Sequence, residues 1–118
     1  MKFKGVFLFD RFLTVKEFNM LKEFVEKRHN DADYPDYYCQ WDPIKDGSGL
    51  EWDGNEKFHR YVEWLKYLIT HFFQPWGLTL NGSVLWRGEE FGDDGVIVVE
   101  DNQVTTRSLY ENPFPTQE

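Results

Sequence analysis

Between Phe58 and Phe72 the apolar residues Phe58, Tyr61, Val62, Leu65, Leu68, Ile69 and Phe72 recur at i, i+3, i+4 and i+7. That spacing puts them on one face of an α-helix, while Lys57, Arg60, Glu63, Lys66 and Thr70 take the other face. Asp53 or Asn55 is placed to cap this helix, and Pro75 lies just past its end. A helix of roughly 18 residues extends about 27 Å, enough to cross a whole sheet. A stripe of that length must be buried, and only a broad apolar surface can bury it.

The flanking segments supply that surface. Residues 3–9, Phe-Lys-Gly-Val-Phe-Leu-Phe, read as a strand. A second helix follows, opened by a capping box in which Thr14 and Glu17 satisfy free backbone donors reciprocally. Leu13 and Phe18 stand at the staple positions. The spacing of Phe18, Leu21, Phe24, Val25 and Arg28 carries the helix to about His29. Residues 37–43 and 49–52 read as strands around the turn Lys45-Asp-Gly-Ser-Gly49. Residues 78–86 read as strand with an Asn81-Gly82 pair suited to a hairpin turn or a bulge. Val96–Val99 and 103–107 complete the set, joined by a turn at Asp101-Asn102. The order β-α-β-β-α-β-β-β predicts an α+β domain over residues 1–110, a mainly antiparallel sheet with both helices packed on one face. Residues 111–118, with two prolines and no periodicity, are expected to form a tail.

At 118 residues, 19% of them aromatic, the chain has core material for one domain without a metal or disulfide staple. Cys39 is the sole cysteine, so no internal disulfide can form. The apolar run after Lys4 is too short for a signal-peptide core, and no stretch approaches the roughly 20 apolar residues of a membrane span. These features predict a soluble cytoplasmic protein with no membrane partner.

The net charge of −8 is concentrated. Residues 30–56 carry Asp31, Asp33, Asp36, Asp42, Asp46, Glu51, Asp53 and Glu56 against Lys45 alone. Residues 88–101 carry Glu89, Glu90, Asp93, Asp94, Glu100 and Asp101 with no base. The rest of the chain is therefore net positive, and the molecule is expected to be electrically two-sided. Direct nucleic-acid binding through the acidic segments is disfavoured, whereas a basic protein partner would be drawn to them.

Catalytic and metal constellations are weakly represented. Asp42–Asp53 resembles a calcium loop in Asp42, Asp46 and Gly47, but Ile44 and Asp53 stand where ligands of a different type belong. Glu89, Glu90, Asp93 and Asp94 would chelate a hard cation only if their loop closed on itself. His59 and His71 are too far apart on one helix to share an ion, and no cofactor motif is present. Asp42 and Asp53, each beside a tryptophan, are the best candidates for a hydrolytic carboxylate pair, which would require them to face each other. Cys39 has no neighbouring histidine to activate it and reads as a core residue. Tyr34, Tyr37, Tyr38, Trp41 and Trp52 would suit a cation pocket if they converged. In a strand, Tyr37, Cys39 and Trp41 would share one face, with Tyr38 and Gln40 on the other.

Taken together, the residues predict a non-enzymatic acidic interaction protein, of inhibitor, immunity or anti-defence type, that binds a basic, nucleic-acid-binding protein. The expected contact residues are Tyr38, Trp41, Asp42, Glu51, Asp53, Glu89, Glu90, Asp93 and Asp94. The alternative is a small-ligand or cation-binding domain, with hydrolysis as a variant, built on residues 34–53.

Several pieces also carry a family resemblance: Tyr37-Tyr-Cys-Gln-Trp41, Glu51-Trp-Asp-Gly54, Glu56-Lys-Phe58, Tyr61-Val-Glu-Trp-Leu65 with Tyr67-Leu-Ile69, Pro75-Trp-Gly77, Leu80-Asn-Gly82 with Trp86, and Gly95 to Asn102. Across residues 36–104 the chain resembles a family of small uncharacterised bacterial proteins. The resemblance implies a folded domain and brings no catalytic residues with it.

Overall fold

The capping box forms as the sequence predicts. In the computed structural model, which describes residues 1–109, helix α1 spans Val15–Glu26. The Thr14 hydroxyl accepts from the Glu17 N–H, and the Glu17 carboxylate accepts from the Thr14 N–H at 2.9 Å. The helix stops at Glu26, short of His29, because the chain turns there and the buried His29 ring bonds back to the Phe24 carbonyl at 2.9 Å. The expected tail, 111–118, lies outside the described residues.

Seven antiparallel strands form one sheet: β1 (Lys2–Lys4), β2 (Phe7–Phe9), β3 (Trp41–Pro43), β4 (Gly49–Trp52), β5 (Leu80–Arg87), β6 (Asp94–Glu100) and β7 (Gln103–Ser108). Their order is β3-β4-β2-β5-β6-β7, with β1 also on β5. β1 and β2 hold the same register against β5 (Phe3 opposite Trp86, Phe7 opposite Gly82), so they are two halves of one line interrupted at Gly5 and Val6. Asn81-Gly82 is accordingly not a hairpin turn. It lies inside β5, where Gly82 adopts φ +140° and a Cβ would come within 2.8 Å of the Val6 carbonyl oxygen. Glycine is what lets β2 approach this closely. The turn at Asp101-Asn102 is present, both residues taking positive φ as a two-residue hairpin loop requires.

The long helix is where the sequence reading needs most correction. Helix α2 spans Tyr61–Leu68 and continues as π-helix over Ile69–Phe73. Neither Asp53 nor Asn55 caps it. The Asp53 carboxylate instead accepts from the Asn55 N–H at 2.8 Å, and the chain reaches the helix through two left-handed residues, Lys57 and Arg60. Arg60 stands at the cap without a side-chain capping bond, its guanidinium pairing instead with Glu63 at 3.4 Å. The stripe is also displaced: Trp64, Leu65, Leu68 and Ile69 are buried, followed by Phe73 rather than Phe72. The π segment, closed by the Gln74 N–H on the Ile69 carbonyl at 2.8 Å, inserts the extra residue that turns Phe73 inward.

Both helices cover one face of the sheet. Phe3, Phe7, Phe9, Leu50, Leu80, Val84, Ile97 and Val99 meet Leu21, Val25, Leu65, Leu68 and Phe73 in one core. Two aromatic clusters flank it. Trp41 meets the rings of Phe3, Phe7 and Phe58 at 5.2 to 5.4 Å. Trp64 packs among Phe24, His29, Tyr34 and Tyr67. The opposite face of the sheet, with Lys2, Lys4, Leu8, Ser83, Leu85, Arg87 and Thr105, is exposed.

Candidate functional site

Strand register decides where the acids go. β5 and β6 are joined by a tight loop in which the Gly88 N–H donates to the Asp93 carbonyl at 2.6 Å and the Asp93 N–H to the Glu90 carbonyl at 3.1 Å. Gly88 has no room for a Cβ because the Asp93 side chain lies against it. The Asp93 carboxylate also accepts from the Trp86 indole N–H at 3.3 Å. The loop is thereby held in shape, with Glu89, Glu90 and Asp93 exposed and Phe91 at its tip 96% exposed.

β4 runs antiparallel to β2, with Leu50 opposite Phe7, so its C-terminal end points toward β1. The following residues, Asp53 to Glu56, therefore lie at the same end of the sheet as the 88–93 loop. Phe3 of β1 lies between, its ring 5.5 Å from that of Trp52. The sheet thus brings the exposed acids Asp53, Glu56, Glu89, Glu90 and Asp93 to one end. Asp46, in the β3–β4 turn, and Glu100 and Asp101, in the β6–β7 hairpin, go to the other end.

The remaining predicted contact residues are distributed differently. Tyr38 is 52% exposed. Asp42 and Glu51 are direct cross-strand neighbours, a repulsive pairing. Lys22 relieves it by donating to both Asp42 oxygens at 2.9 and 3.1 Å, and that bond raises the lysine pKa. Asp94 is half-buried and pairs with Arg87 at 3.5 Å. Trp41 is fully buried, and its indole N–H donates to the Tyr61 carbonyl at 2.8 Å. It is a core residue and has no surface to offer a partner.

Residues 37–40 are not a strand, since β3 begins only at Trp41. The expected alternation therefore fails, and Cys39, Gln40 and Trp41 are buried in succession while Tyr37 and Tyr38 are both exposed. The five aromatic residues weighed as a cation pocket do not converge. Tyr34 packs on Trp64, Trp41 is in the core, and Tyr37 carries Arg28 over its own ring at 4.5 Å.

A cleft of about 550 Å³ opens between α1 and the approach to β3, lined by Lys22, Glu26, Tyr38, Gln40, Asp42 and Asp53 among others. Cys39 lies at its base, with its thiol pKa raised by burial and its hydrogen directed to the Trp41 carbonyl. Among the described residues no group of three or more His, Cys, Asp or Glu converges as a metal site. No helix among them is long and apolar enough to cross a membrane.

Phe91 is the residue that the sequence reading passed over. Its signal was present: a lone large apolar side chain in the run Glu89-Glu90-Phe91-Gly92-Asp93-Asp94. Compared with protein-family models, the chain matches none, and comparisons with curated proteins and with solved structures also give no match.

Proposed function

We propose that the chain is a non-enzymatic interaction protein that engages a basic protein partner through the acidic end of its sheet. The observation that supports this most is the β5–β6 loop. It presents Phe91, 96% exposed, among the carboxylates of Glu89, Glu90 and Asp93. An exposed aromatic ring supplies the buried anchor of an interface, and surrounding charge accelerates encounter with an oppositely charged surface. The backbone bonds that fix the loop reduce the ordering cost of binding. Asp53 and Glu56 extend the negative field across the same end, and a nucleic-acid-binding protein, itself basic, is the class of partner this field would favour.

The test is affinity capture from the native host at physiological salt with three baits: the wild-type chain, Phe91→Ser combined with Glu89→Gln and Glu90→Gln, and Asp46→Asn at the opposite end. The expected result is a basic protein held by the first and third baits and lost from the second. Recovery of the same proteins by all three would refute the proposal.

A second reading has one observation in its favour, the cleft beside α1, in which Asp42, Asp53 and Tyr38 meet. A small cationic metabolite there would raise the melting temperature with concentration, and Asp53→Asn would abolish the shift. A panel of cationic metabolites and divalent ions that leaves the melting temperature unmoved would remove this reading.

A further inference from the structure

The uncovered face of the sheet carries the opposite charge to the acidic end, and we propose that it holds the β5–β6 loop of a second copy of the chain, so that copies associate head to tail. This inference rests on the reading of that loop as a docking element.

Register lays out the face. Lys4 stands opposite Leu85, Leu85 opposite Val96, and Val96 opposite Arg107, a single row across β1, β5, β6 and β7. The neighbouring row, toward the acidic end, is Lys2, Arg87, Asp94 and Leu109, the last joined to Asp94 by its N–H at 2.9 Å. Successive strand residues point to opposite faces. Val84 and Ile97 are fully buried under the helices, so these two rows lie on the uncovered side.

The solvated face of an antiparallel sheet is ordinarily polar. Here Leu85 and Leu109 are about half exposed and Val96 is half-buried, giving an aliphatic strip. Arg87 is matched by Asp94 at 3.5 Å, whereas Lys2, Lys4 and Arg107 make no ion pair among the described residues. Three unneutralised cations beside exposed aliphatic side chains are a local exception in a chain of net charge −8.

The β5–β6 loop is the chemical counterpart of this strip. Phe91 at its tip is 96% exposed and stands among the carboxylates of Glu89, Glu90 and Asp93. An aromatic ring rimmed by anions matches an aliphatic strip rimmed by cations: the ring takes water off Leu85 and Val96 while the carboxylates meet Lys2, Lys4 and Arg107. The loop is fixed by its own backbone bonds with Phe91 in solvent, so the occupant comes from another molecule. The two patches differ, which makes the contact heterologous. Four strands and two to three rows cover roughly 15 × 15 Å, well below the ~800 Å² per partner of a standard interface, so the association is weak and gives way to a basic partner that binds the loop. A Debye length of about 8 Å in physiological salt confines the relevant charge to the contact itself and screens the repulsion between two acidic molecules.

The test is sedimentation of the full chain at physiological salt, with two variants and their mixture. The wild-type chain is expected to gain average mass with concentration between about 20 μM and about 1 mM. A loop variant (Phe91→Ser with Glu90→Gln) and a face variant (Lys4→Gln with Leu85→Ser) should each stay monomeric. Their equimolar mixture should form a 1:1 dimer and stop there, because one intact loop then meets one intact face. In that mixture the ¹⁵N-labelled loop variant should show saturable shifts at the Lys4, Leu85, Val96 and Arg107 amides. Lys2→Gln with Lys4→Gln leaves β5 untouched and should weaken self-association about fivefold. A wild-type chain monomeric at about 1 mM overturns the proposal. So does a mixture that fails to associate, or a face variant that folds and still self-associates. Affinity capture separates this from the function proposed above: the face variant should retain the basic partner, and loss of that partner from every bait would refute the function while leaving self-association standing.

Discussion

Two fully buried tryptophans offer a controlled comparison, because one indole N–H is bonded and the other is not. Trp41 donates to the Tyr61 carbonyl at 2.8 Å, whereas the Trp64 N–H has no hydrogen-bond partner among the described residues. Replacing either by Phe removes roughly 40 Å³ of ring, which costs about 1 kcal/mol at ~24 cal/mol per Å³ of cavity. The apolar area lost adds a further ~1 kcal/mol. At Trp41 the lost hydrogen bond contributes about 1 kcal/mol more, for a total near 3 kcal/mol. At Trp64 the sign of the last term reverses: removing an unsatisfied buried donor returns about 1–3 kcal/mol, so the substitution should be close to neutral. Urea denaturation followed by circular dichroism gives both values, provided that the slope with denaturant is unchanged. Trp41→Phe should be the more destabilising by at least about 1.5 kcal/mol. If the two losses agree within about 0.5 kcal/mol, the Trp64 N–H is bonded in solution and the argument fails.

Other expectations follow from the same geometry. Thr14→Ala should cost about 1 kcal/mol in the same urea assay by opening the capping box. Hydrogen bonds from Arg11, with Thr14 assisting, pull the Glu17 carboxyl from its ordinary 4.5 down to about 2. A depressed carboxylate stabilises the fold above its unfolded pKa, so this contribution should disappear as pH falls from about 4.5 to about 2, and Arg11→Met should flatten that limb of the pH–stability curve. Gly49→Ala should destabilise by at least about 2 kcal/mol because its Cβ would land on the Phe7 carbonyl oxygen. Gly54→Ala, left-handed at φ +89° with open space around it, should cost only about 1 kcal/mol by thermal or chemical melting. Cys39, buried and with its pKa raised, should resist iodoacetamide in the native chain and react promptly in urea.

What the sequence by itself determined is what depends on neighbours along the chain. The Thr14–Glu17 box, the Asp101-Asn102 turn, the α+β order and the acidity of the 88–94 run are contacts or charges within a few residues, and the chain shows them directly. The tertiary structure decided whatever depends on partners far away. Asn81-Gly82 has the composition of a turn, yet it continues as strand because β2 presses against it. Asp53 has the composition of a cap, yet it closes its own loop because Phe58 must first reach the core beside Phe3 and Trp41. Trp41 looks like its exposed neighbour Tyr38 in sequence, and only the sheet draws it inward to Tyr61. The grouping of acids at one end was likewise settled by strand order. Charge is carried by residues, but a surface is made by register: pairing β4 and β5 with the first line of the sheet brings residues 53–56 and 88–93 to one edge of the molecule while sending Asp46, Glu100 and Asp101 to the other.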